Sequence, residues 1–152
     1  GQLDYGNGAL AAATIKTAYN KMNLSFMKAF TSGIMCNILV CLAVLLAGVC
    51  QDAIGKIFAC FFPIWAFVIA GYEHCVANMY YIPAGLLAKH GEAYYNAAIM
   101  AGMTPDQLNS MTVGKFFLNN LLPVTLGNIV GGVVFVALPL YLIYRNKNKA
   151  EA

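Results

Sequence analysis

Glu73 and His74 stand side by side in the run Ile57 to Ala88, which carries no other charged residue. Sixteen residues of that run precede the pair and fourteen follow it. A carboxylate and an imidazole can move protons, bind each other, or solvate an ion. His74 is the group whose unperturbed pKa, about 6.5, lies in the working range of pH. Near the middle of an apolar layer such side chains are expensive, so their presence there points to function, a buried structural hydrogen-bonded pair being the plain alternative. Gly71 just before the pair, with Pro83 and Gly85 after it, predicts a helix broken into two halves. Unwound backbone and half-helix ends can solvate an ion at that depth.

The layer that must hold these residues is lipid. Of the 152 residues, 61% are hydrophobic with glycine left out of the count, and 10% are charged. A soluble domain has roughly 45–50% apolar residues with glycine included and about 25% charged ones. Disorder requires the opposite composition, and a net charge of +3 makes no basic stripe for nucleic acid. Ala29 to Gln51 and Phe116 to Tyr144 carry no charged side chain, and at about 1.5 Å per residue each crosses a core of about 30 Å. The expected fold is an all-α membrane protein with three transmembrane helices over about 26–50, 57–88 and 116–144, the middle one broken. Ala9 to Ala18 reads as a short peripheral helix, and Thr104-Pro105-Asp106 as a helix start. Arg145, Lys147 and Lys149 make 145–152 a basic tail, which the positive-inside rule places in the cytoplasm. Counting back puts Asp52 to Lys56 inside and the N-terminal segment and Lys89 to Lys115 outside.

Three stretches in order carry a resemblance. Gly71-Tyr72-Glu73-His74-Cys75-Val76-Ala77-Asn78-Met79-Tyr80-Tyr81-Ile82-Pro83 resembles the signature of the formate/nitrite transporter family. The first span's Gly33-Ile34-Met35-Cys36-Asn37-Ile38-Leu39-Val40-Cys41-Leu42-Ala43 agrees, as does Asn120-Leu121-Leu122-Pro123-Val124-Thr125-Leu126-Gly127-Asn128-Ile129-Val130-Gly131-Gly132 in the third. The resemblance implies a pentameric channel of the cell (inner) membrane for small monovalent anions of weak acids, among them formate, hydrosulfide and nitrite. Family members have six spans in two inverted halves of an aquaporin-like fold. Residues 1–152 match the fourth to sixth spans, so the resemblance implies the C-terminal half, partnered by an N-terminal half and the bilayer, in a homopentamer of complete protomers.

Carried over by position, the resemblance makes His74 the central pore histidine and Glu73 its structural neighbour. The cost of moving a bare anion into an apolar segment then makes a proton relay from His74 to the anion the expectation, with a hydrogen bond to an anion that crosses charged as the rival. It makes Lys21 a vestibule lysine, and Asn37 an asparagine hydrogen-bonded to the central histidine. Asn128 becomes a third-span asparagine near the same site, and Phe67 part of an apolar constriction. Read alone, Lys21 is an interfacial lysine, Phe67 a core aromatic, and Gly127, Gly131 and Gly132 aids to close helix packing. Asn78, Asn119 and Thr125 read as interhelical glue. Cys36, Cys41, Cys50, Cys60 and Cys75 show no CxxC pair and read as small buried hydrophobes. No cofactor or metal is expected. An enzyme is not expected either, because Glu73, His74 and Cys75 in succession cannot converge on one atom. A neutral-solute channel of aquaporin type and a structural membrane subunit without transport of its own are the alternatives. Asparagine-proline-alanine turns, which the first would need, do not occur in the sequence.

Overall fold

The computed structural model describes residues 2–150, with side chains as far as 146. The basic tail therefore lies partly outside the described residues, as do the side chains of Lys147 and Lys149. The described residues are almost all helical: a 3-10 turn at Gln2–Asp4, then α1 (Ala9–Met22), α2 (Phe26–Val49), α3 (Ala53–Ile69), α4 (Cys75–Ala88), α5 (Glu92–Met100) and α6 (Pro105–Asn109). A last helix, α7, runs through Val113–Asn146. Among the described residues, only α2 and α7, with 24 and 34 residues, are long and apolar enough to cross a membrane by themselves.

The apolar run expected over 57–88 is made of two helices. At about 1.5 Å per residue, the 17 residues of α3 and the 14 of α4 reach only about 25 and 21 Å. What ends α3 is local. Gly71 takes a left-handed φ of +68°. Its N–H donates to Val68 O at 3.1 Å, and that of Tyr72 to Phe67 O at 3.0 Å, which is the paired bonding of a Schellman motif. The start of α3 is earlier than the composition suggests, at Ala53, because Asp52 caps it by accepting from the Gly55 N–H at 2.7 Å. Lys56 therefore sits in the first turn of the helix. Likewise Thr112 caps α7 and starts it at Val113, and the expected start at Thr104 is a capping box with Gln107.

The chain forms two compact units. One comprises the chain up to Lys28 together with Cys75–Pro123. Here α1 packs on α4 and α5 around Ile15, Met22, Ile82, Leu108, Met111 and Phe116. Gly85 lets α4 approach α1, because a Cβ there would overlap that of Ala18. Lys89 extends from the end of α4 and donates to the carbonyls of Leu108 (3.1 Å) and Met111 (2.6 Å), tying down the chain that leads into α7.

The other unit comprises Ala29–His74 and the chain from Val124 onward. Here α2 and α7 meet backbone to backbone. A Cβ on Gly127 would collide with the Phe30 carbonyl, and one on Gly131 with the Ile34 carbonyl. The expected use of these glycines for close packing is what the helices show. Gly131→Ala is expected to cost about 2–3 kcal/mol, since the obstacle is main chain and cannot rotate away. Gly48→Ala, where nothing lies within 4 Å of the added carbon, should change stability by less than about 0.5 kcal/mol. Thermal unfolding of the two variants in one detergent measures the difference. Of the five cysteines, Cys36 alone is buried and Cys60 is exposed, so the expectation of small buried hydrophobes holds fully only for Cys36.

Candidate functional site

Between α3 and α4 the chain leaves helical geometry from Ala70 to His74. Backbone groups freed from a helix in an apolar layer must find other partners. At Glu73 both do so within the unit that holds α2 and the far part of α7. The Glu73 N–H donates to Ser32 Oγ at 3.0 Å, and its carbonyl accepts from Asn128 Nδ2 at 3.1 Å. The same Asn128 carboxamide donates to Gly33 O at 2.8 Å. Asn128 is 5% exposed and Glu73 5%, so water does not compete for these bonds. One side chain of α7 thus clamps the break onto α2.

Asn37 joins this network from α2, its Nδ2 donating to the Asn128 carbonyl at 2.6 Å. The bonds therefore run from Asn37 through Asn128 to the main chain of Glu73, one residue before His74. Gly132 makes room for Asn37, whose Nδ2 would lie 2.6 Å from a Cβ at that position. His74 is half-buried, and its ring stacks on that of Phe67, with centroids 6.0 Å apart and planes 24° off parallel. The Schellman turn brings these two rings together across seven positions of sequence. An imidazole stacked on an aromatic ring, after a residue whose backbone is satisfied, can offer a hydrogen bond or exchange a proton.

Lys21 belongs to the other unit. It sits half-buried in the last turn of α1, its ammonium 5.7 Å from the centroid of the Tyr81 ring, a cation–π distance. Of the residues singled out from sequence, Glu73, His74, Phe67, Asn37 and Asn128 fall in one unit and Lys21 in the other. Ser32 was not singled out. Its only sequence signal is a hydroxyl in an uncharged run directly before Gly33, and nothing in that spacing points to Glu73.

A family model described as Formate/nitrite transporter matches residues 1–142. A "Probable formate transporter" of Methanothermobacter thermautotrophicus is 45% identical over 122 residues, which are 80% of this chain and 37% of that protein. The "Formate channel FocA" of Escherichia coli (strain K12) is 34% identical over 150 residues, 97% of this chain and 52% of that one. A solved "Pentameric formate channel with formate bound" superposes with a TM-score of 0.83 at 37% identity, covering 94% of this chain and 56% of that chain. The chain thus spans about half the length, or less, of the curated relatives it matches.

Proposed function

Because this chain belongs to the formate/nitrite transporter family, we propose that it supplies one half of a channel for small monovalent anions of weak acids. Formate, hydrosulfide and nitrite are the candidate substrates, and formate is favoured by what the relatives are called. The observation that carries this reading is the break at Ala70–His74. It interrupts an uncharged apolar run, its Glu73 backbone is satisfied by Ser32 and Asn128, and it ends at a histidine stacked on Phe67. A merely structural helix has no use for such a break.

In this reading α2 and α7 are full spans and α3 with α4 form one broken span. Residues 1–152 are the C-terminal half of a six-span channel domain, completed by an N-terminal half in an aquaporin-like inverted repeat. The solved relative described as a pentameric formate channel with formate bound supports a pentamer, here read as five complete protomers in the cell (inner) membrane. The tail from Arg145 faces the cytoplasm. Large apolar side chains such as Val49, Phe58, Trp65, Leu87 and Phe135 are more than half exposed in the isolated chain, a surface that lipid or partner helices would cover.

Lys21 raises the anion concentration at the entry, and His74 donates a proton to the anion as it leaves water, because a bare anion pays far more than its neutral acid to enter an apolar segment. The complete assembly in liposomes, given equal gradients of formate, nitrite and hydrosulfide, tests the function. Saturable, pH-dependent flux of at least one is expected. Flux of neutral solutes alone would make it an aquaporin-type channel, and silence a structural subunit. In the same assay Lys21→Glu should lower anion flux at least about tenfold and Lys21→Arg less than about threefold, the gap closing at high salt as charge is screened over about 8–10 Å. Equal flux in all three would leave Lys21 an interfacial anchor.

A further inference from the structure

The last turn of a helix leaves its final carbonyls without intrahelical donors. In α1 the carbonyls of Tyr19, Asn20 and Lys21 each find a donor. Asn23 Nδ2 donates to Tyr19 O at 2.6 Å, the Asn23 N–H to Asn20 O at 3.2 Å, and Asn120 Nδ2 to Lys21 O at 2.9 Å. The third donor comes from a different helix, 99 residues along the chain. Asn120 is itself held, since its Oδ1 accepts from Asn78 Nδ2 of α4 at 2.8 Å, and both asparagines are 0% exposed.

Asn120 lies in a π-helical stretch of α7, Phe116–Leu121, at whose end the Leu122 N–H donates to Phe117 O, five residues back. A π turn takes one residue more than an α turn, so it rotates what it contains relative to the rest of the helix, and such turns recur at functional positions. Here the rotated residue is the one that caps the turn carrying Lys21. We propose that Asn120 is a positioning residue for anion entry: by capping α1 at Lys21 O from the π turn, and anchored by Asn78, it keeps that turn wound and the Lys21 ammonium in place over Tyr81.

The proposal rests on the reading of Lys21 as an entry lysine, and the test separates the two. In the assembled channel, Asn120→Leu keeps the volume and loses both bonds. It should raise the KM for formate about five- to tenfold, leave maximal flux within about twofold, and flatten the salt dependence of KM, since a displaced cation no longer concentrates anions. In a Lys21→Gln background, where KM is already raised, Asn120→Leu should add nothing. If Lys21→Gln raises KM and Asn120→Leu does not, or if Asn120→Leu lowers maximal flux equally in both backgrounds, the positioning role is overturned while the entry lysine stands. If Lys21→Gln leaves KM unchanged, both fall. Should Asn120→Leu not assemble, Asn120→Ser replaces it, because its hydroxyl is too short to hold both partners and the same direction is expected.

Discussion

In His74→Asn, uptake of formate accompanied by protons is expected to fall about a hundredfold or more, the scale on which a positioned acid–base group acts. Asparagine has a similar size and still donates a hydrogen bond, but it does not titrate. The relay requires a group that gives its proton to the anion as it enters the dry segment and is reprotonated from water on the side of entry, the acid releasing that proton on the far side. Stacking on Phe67 at 6.0 Å places the imidazole against an apolar ring, where an unprotonated anion has lost its water and gained little in return. The rival is that His74 offers only a hydrogen bond and the anion crosses charged. Two readouts on the same liposomes discriminate: a dye for internal pH follows protons, and electrode recording follows charge. The relay predicts lost acidification with current surviving. Acidification unchanged in His74→Asn would remove the relay and leave the hydrogen bond.

Asn128→Leu is expected to be the most damaging substitution at the break that leaves the histidine itself in place. It removes the donor to Glu73 O and to Gly33 O at once. A buried carbonyl left without its donor costs about 1–3 kcal/mol, which applies to Glu73 O, while Gly33 O lies within α2 and adds about 1 kcal/mol or less, so the loss is about 1–4 kcal/mol. Interhelical hydrogen bonds in membranes average only about 0.6 kcal/mol, because an unfolded helix in lipid keeps its own backbone bonds. That average does not cover Glu73, whose carbonyl lies outside any helix. Asn37→Leu is the comparison. It removes a donor to the carbonyl of Asn128, which lies within α7, and should cost about 1 kcal/mol or less. Thermal midpoints and pentamer yield in detergent should therefore order as wild type, Asn37→Leu, Asn128→Leu, with anion flux following. An Asn128→Leu protein as stable as wild type would mean that the break supports itself.

Much of the frame was legible along the chain, because its causes are local. The uncharged run that begins at Ala29 makes most of α2, whose first turn also takes in Lys28. Gly71 stops α3 because a left-handed residue followed by two back-bonds needs only its own neighbours, and Thr104 starts a helix for the same kind of reason. The early start of α3 was misread from composition, since a charge at Lys56 looks like a boundary although a first turn tolerates it. Glu73 and His74 were conspicuous for their cost in lipid.

By itself, then, the sequence determined an apolar, largely helical chain, the place where its long middle run leaves the helix, and the histidine at the end of that stretch. Each of these follows from solvation and dihedral preferences that act within a few residues. Only the tertiary structure decided what satisfies the break. Ser32 and Asn128 reach Glu73 across 41 and 55 positions, and α2 must come within glycine distance of α7 before either can do so. Asn120 was equally hidden, because a π turn changes the register that periodicity assumes, and the carbonyl it caps lies 99 residues away. Residue type shows that a polar side chain in lipid needs a partner, and only the approach of the backbones selects which one it finds.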